Sequence, residues 1–84
     1  MRTLATLAVG ATAAVKSLQL SDREASWLRA VGIYEGVLVT PLRFAPLGGP
    51  LHLRTSTGAE LAVDLELARA VELGDAASGG GTPP

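Results

Sequence analysis

The chain has 84 residues, no cysteine and a formal net charge of -1. That length holds one domain with a modest core, and the missing thiols exclude disulfide staples and thiolate metal sites. Seven Lys and Arg are scattered with no run among them, which argues against a nucleic-acid binder, since phosphate binding rests on clustered basic side chains. With 48% apolar residues but only one Trp, one Tyr and one Phe, the core has to be built from Leu, Val, Ala and Ile.

The N-terminus admits two readings. Arg2 precedes an apolar stretch from Leu4 to Val15, interrupted by Thr6, Gly10 and Thr12. A basic start followed by apolar and small residues imitates a leader peptide. The stretch is too short for a membrane-spanning helix, which needs about 20 apolar residues. Removing it would leave fewer than about 70 residues, where a single core becomes marginal. The ordinary reading is a first structural segment, with a turn at Gly10 and a strand from Ala11 to Leu18.

The clearest local element is a short helix. Ser21-Asp22-Arg23-Glu24 has the form of a capping box. In it the Ser21 hydroxyl accepts from the Glu24 amide and the Glu24 carboxylate reaches back to the Ser21 amide. Asp22 adds negative charge at the positive end of the helix dipole. Ala25, Leu28 and Val31 recur at helical spacing as an inner stripe, with Trp27 flanking it. Gly32 suits a left-handed helix ending, which would fold Ile33 back onto Leu28.

After the helix the period becomes that of strands. Tyr34-Glu35-Gly36 reads as a turn, and Val37 to Phe44 as a strand. Pro41 inside it marks an edge or a bulge, because proline cannot donate to a ladder. A bulge would account for Val37 and Val39 lying in one phase and Leu42 and Phe44 in the other. Ala45 to Pro50 is a turn-rich connection. Leu51 and Leu53, then Leu61 and Val63, alternate with polar residues around Ser56-Thr57-Gly58 and predict a hairpin with one buried face. Asp64 could cap a single helical turn, and Val71 and Leu73 suggest a last short strand. Residues 1–74 thus read as one domain and residues 75–84, rich in Gly, Ser and Pro, as a disordered tail. The sum is a mostly β fold of about five strands. One short helix follows the first strand and a helical turn precedes the last. An SH3-like barrel is the simplest architecture that fits.

The residues offer little chemistry. The Gly48-Gly49-Pro50 run leads into a strand, not into a helix that could receive a phosphate. His52, the sole histidine, falls on the solvent phase of its strand. It is a weak metal-ligand candidate, because a transition-metal site needs three or four convergent donors. Asp64, Glu66 and Glu72 carry no sign of a paired acid and base, and no Ser or Thr has a positioned base. The expectation is no enzyme. Trp27 either closes one end of the barrel as a core residue or serves as a partly exposed anchor, a role in which Trp is enriched. Phe44 and Leu47, bordering the Pro/Gly loop, pose the same choice.

Four segments together resemble the FeoA family of ferrous iron transport accessory proteins, over about Thr3 to Leu73. They are Leu4, Leu7 and Gly10 before Ala11 to Val15; Leu28 to Ile33 before Glu35-Gly36; the Ala45-Pro46-Leu47-Gly48-Gly49-Pro50 loop, with Gly49 where the family usually has Asp; and Ala59 to Val71. The chain departs from the family in having Ala25, Ser26 and Trp27 where Arg residues are common, with only Arg23 and Arg29 nearby. The resemblance implies an SH3-like barrel that assists or regulates ferrous iron uptake. It implies a cytoplasmic protein that binds the cytoplasmic part of a FeoB-type membrane transporter, which carries a G-protein domain. Such a protein touches the membrane only through that partner, needs no cofactor and does not bind nucleic acid. Arg23, Trp27, Arg29, Phe44 and Leu47 are the candidate partner-binding residues. The alternative is a divalent-metal-responsive regulatory domain like the C-terminal SH3-like domain of iron-dependent repressors, binding an ion weakly through His52 and nearby carboxylates. Self-association through the Pro46–Pro50 region is a further expectation.

Overall fold

The computed structural model describes residues 2–74; the tail expected over 75–84 lies outside the described residues. Strands β1 (Ala13–Leu18), β2 (Leu38–Phe44), β3 (Leu51–Thr55), β4 (Glu60–Val63) and β5 (Val71–Leu73) form one antiparallel sheet in the order β4-β3-β2-β1-β5. Helix α1 (Asp22–Val31) follows β1, and the short helix α2 (Leu65–Arg69) precedes β5. The sheet is roughly barrel-shaped but not closed, since β4 and β5 share no ladder.

β1 makes this shape possible by changing partners along its length. Ala13 and Ala14 pair with β2, while Val15 to Leu18 pair with β5 across a register shift between Val15 and Ser17. A bulge bends a strand and increases its twist, so one strand serves both halves of the sheet. β1 begins at Ala13, two residues later than the sequence suggests, because Ala11 donates back to Ala8 in the turn that holds Gly10 at φ +87.

The apolar N-terminal stretch belongs to the fold. Leu4 to Thr6 form a 3-10 turn, and Leu4 and Leu7 are buried in the core. Thr3 bridges to Glu72, and the Leu73 amide donates to the Arg2 carbonyl. The run therefore covers the outer edge of β5. The 3-10 turn escaped sequence reading because three residues carry no period.

β2 contains the expected bulge. Val39 pairs with Thr55 and Pro41 with Leu53, but then Arg43 pairs with His52 and Phe44 with Leu51. The core-facing phase thus moves from odd to even numbers. Leu42 is the inserted residue, without a partner on β3, and is half-buried, so of the two residues expected in the second phase only Phe44 is paired there. The missing amide of Pro41 costs nothing in the ladder, because β1 pairs with β2 only at Val39 and Leu38. The β3–β4 hairpin is regular from Leu51 opposite Val63 to Arg54 opposite Glu60.

The core joins Leu4, Leu7, Ala13, Val15, Leu28, Ile33, Val37, Val39, Leu51, Leu53, Val63, Ala68, Val71 and Leu73. Every strand and both helices contribute, as a single small core requires.

Candidate functional site

Helix α1 presents the first half of the site, and its ends are fixed by local chemistry. The Ser21 hydroxyl accepts from the Glu24 amide at 3.3 Å. The return arm of the capping box differs from the expected one: the donor to the Glu24 carboxylate is the Ser21 hydroxyl, at 3.2 Å, and not the Ser21 amide. At the other end Gly32 has φ +113, its amide donates to the Arg29 carbonyl, and the Ile33 amide donates to the Leu28 carbonyl at 2.8 Å. This is the complete Schellman pattern, and it seats Ile33 with Leu28 in the core.

With both ends fixed, only Ala25 and Leu28 of α1 are buried. Trp27 is 51% exposed, which settles its two readings against the core one. Helical spacing puts Arg23 and Trp27 one turn apart on the same side. They line an open groove of about 350 Å³ together with Glu24 and Leu67. Leu67 belongs to α2, and sequence reading missed it because a five-residue helix has no period to mark its outer face.

Arg29 is placed elsewhere. Its Nε and a terminal amine donate to the two carboxylate oxygens of Glu35 at 3.2 and 2.8 Å. The Arg29 hydrogen bond, then a backbone hydrogen bond at Glu35 itself and the Arg29 charge, draw Glu35 down from 4.5 to about 2, and Arg29 is raised by the same contact. This pair ties the last turn of α1 to the turn before β2.

The Pro/Gly loop forms the second half. The Ala45 amide donates to the Pro50 carbonyl at 3.0 Å and the Gly49 amide to the Pro46 carbonyl at 3.2 Å. Leu47 has φ +60, a left-handed conformation unusual for Leu, and Gly48 follows at φ +75. The outcome is a Leu side chain with full solvent exposure at the loop tip. Phe44, opposite buried Leu51, is 37% exposed at the loop's base. Beside the loop, Gly48, Gly49 and Pro50 share a shallow polar depression with Asp64, Leu65, Glu66 and Arg69. Helix α2 therefore lies between the loop and the Trp27 groove. Asp64 precedes α2 in extended geometry but its side chain makes no capping bond, contrary to expectation.

The remaining candidates stand apart. His52 is exposed on β3 between Arg43 of β2 and Ala62 of β4, so its nearest cross-strand neighbours include no carboxylate. Glu72 accepts from the Ser17 hydroxyl at 2.7 Å and lies 3.8 Å from the Lys16 ammonium. The Ser17 bond first, then Lys16, lowers its carboxyl below the usual range. That network locks β1 to β5. Among the described residues no three His, Asp or Glu side chains converge as metal ligands, and no helix is long and apolar enough to cross a membrane.

Comparison with known proteins agrees with this architecture. The FeoA from Chlorobium tepidum superposes with a TM-score of 0.79 at 28% identity, covering 86% of this chain and 68% of that one. The Stenotrophomonas maltophilia FeoA, an SH3-domain protein solved in complex with zinc, gives 0.73 at 27% identity, covering 88% and 91%. A manganese-dependent transcriptional repressor solved with manganese shares the fold alone, at 19% identity and a TM-score of 0.77; the chain spans 35% of its length. No protein of curated function matches at the sequence level. The FeoA domain profile matches residues 2–73, nearly all of the described residues, and the chain therefore belongs to the FeoA domain family.

Proposed function

We propose that this chain is an accessory or regulatory protein of ferrous iron uptake that binds the cytoplasmic part of a FeoB-type transporter. Family membership supplies the process. The observation that carries the contact is the pair of apolar features flanking α2, the Trp27–Leu67 groove and the exposed Leu47 tip. Trp in a partly apolar recess rimmed by Arg23 suits an interface anchor. Leu47 is held in its exposed position by left-handed backbone, so little ordering remains to be done on binding. The role needs neither catalysis nor a cofactor. It places the protein on the cytoplasmic side, at the membrane only through its partner.

Co-purification with the cytoplasmic part of a FeoB-type transporter, with and without guanine nucleotide, tests this reading. Stoichiometric recovery that falls with Trp27→Ala is the expected result. Consistent absence of recovery in both nucleotide conditions contradicts it.

A further inference from the structure

We infer that the free protein forms a two-fold dimer in which β4 of each copy pairs antiparallel with β4 of the other, joining the two sheets edge to edge. The two edges of the sheet differ. The outer side of β5 is covered by the N-terminal run, through the Thr3–Glu72 bridge and the bond from the Leu73 amide to the Arg2 carbonyl. β4 is the other edge and pairs with β3 alone.

The ladder fixes which backbone groups of β4 are free. The Thr55 amide donates to the Ala59 carbonyl, and the next amide, that of Ser56, donates the other way, to the Leu38 carbonyl of β2. Odd-numbered residues of β3 therefore bond toward β4. By antiparallel alternation, Leu61 and Val63 bond back to Leu53 and Leu51. The amides and carbonyls of Glu60 and Ala62 point away from the sheet. None of these four groups has a backbone partner among the described residues, and both residues are exposed. Sheet edges are commonly closed to pairing by proline, a bulge or lysine. β4 has none of these, and its one charge, Glu60, lies 4.0 Å from the Arg54 guanidinium of β3.

The free groups select a second β4 read about Leu61. With the two-fold axis at Leu61, Glu60 of one copy faces Ala62 of the other. The two such pairs exchange four hydrogen bonds, which use every free group of both strands. Leu61 then meets Leu61 of the second copy at a non-bonded position, where side chains come closest, and this half-buried residue gains apolar cover. An axis at Glu60 sets the two Glu60 carboxylates opposite each other. An axis at Ala62 sets Glu60 opposite Asp64, whose carbonyl already accepts from the Ala68 amide. Both alternatives oppose like charges, which destabilises a cross-strand pair. β4 is thus its own complement in length, bonding groups and charge. Each chain has one such edge, so the contact closes at two copies. The paired segment is short, which puts the dimer in the weak, concentration-dependent class. It uses none of the residues of the proposed transporter contact and rests on no part of that reading.

Sedimentation equilibrium of the full chain from about 10 μM to about 1 mM, the range suited to a small interface, tests the inference. We expect a monomer–dimer equilibrium. Ala62→Pro removes one outward donor from each copy and no bond to β3, a place where an edge strand tolerates proline, and it should leave the chain monomeric. Far-UV circular dichroism checks that this variant keeps its fold. Two further variants at the same exposed position hold the test open if it does not. Ala62→Glu sets a carboxylate against Glu60 of the second copy on both sides of the axis and should weaken association roughly threefold to tenfold, while Ala62→Arg should strengthen it by a similar factor. The register has its own readout, because the chain contains no cysteine. Leu61→Cys should form a disulfide-linked dimer with oxidised glutathione, and Glu60→Cys should not, since only the residue on the axis meets its own copy within disulfide range. A chain that stays monomeric throughout, grows beyond two copies, associates equally with Glu or Arg at position 62, or crosslinks through Glu60→Cys in preference to Leu61→Cys overturns the inference.

Discussion

Arg29 grips Glu35 with two parallel hydrogen bonds, at 3.2 and 2.8 Å, and so fastens the end of α1 to the turn that starts β2. The two groups are about half exposed, at 47% and 45%, so solvent and salt screen the pair. Its pH signature is nevertheless definite. A carboxyl whose folded pKa lies below its unfolded value stabilises the fold above the unfolded value, and that contribution fades as pH falls through the folded one. For Glu35 the window runs from 4.5 down to about 2. Thermal melts should show wild type above Glu35→Gln at neutral pH, with the two curves converging as the pH approaches 2. Glu72 also titrates low, and comparing these two chains cancels its effect. A gap between them that is unchanged across the window contradicts the account.

Gly32 is the point where α1 ends. Its φ of +113 is unfavourable for any residue with a Cβ, although the added atom would meet only the Ala59 Cβ at an ordinary 3.8 Å. The cost of Gly32→Ala is then one of backbone conformation, about 1–2 kcal/mol. Urea unfolding should show a lowered midpoint with an unchanged slope.

Neighbouring residues on α1 should separate stability from binding. Leu28 is fully buried and Trp27 half exposed. Leu28→Ala should cost about 2–5 kcal/mol through a core cavity. Trp27→Ala should change stability by about 1 kcal/mol or less, since it removes no core packing. Equal losses for the two substitutions, measured by denaturant titration, would return Trp27 to the core.

These contrasts also mark how far the sequence could be read. The caps of α1 were legible because a capping box and a glycine ending act within a few residues. The β3–β4 hairpin was legible because one buried face imposes a strict alternation from Leu51 to Val63. The bulge in β2 was visible as a change of phase around Pro41, but which residue it inserts, Leu42, depends on pairing with β3. The direction of Trp27 was not legible: a residue flanking a buried stripe can turn either way, and the groove it lines is completed by Leu67 of α2, far along the chain. The separation of Arg29 from Arg23 depended on Glu35, which lies beyond the helix end.

The loop that holds Leu47 allows a steric prediction. A Cβ at Gly49 would lie 2.7 Å from the Ala45 Cβ and 3.3 Å from the Pro46 carbonyl oxygen. Gly49→Ala therefore forces the loop to shift, at about 1–3 kcal/mol, and should move the Leu47 resonances most in a heteronuclear NMR comparison. A spectrum altered only at Ala45 and Gly49 would mean that the loop absorbs the change without redirecting Leu47.

The surface around α2 is proposed above as the contact with the transporter. Titration of the cytoplasmic part of a FeoB-type transporter into this chain, followed by Trp27 emission and calorimetry, tests it most directly. The account predicts saturable one-to-one binding with a blue-shifted Trp27, weakened about tenfold or more by Leu47→Asp and unaffected by His52→Ala on β3. No heat and no spectral change, or binding that Leu47→Asp leaves intact, would contradict it.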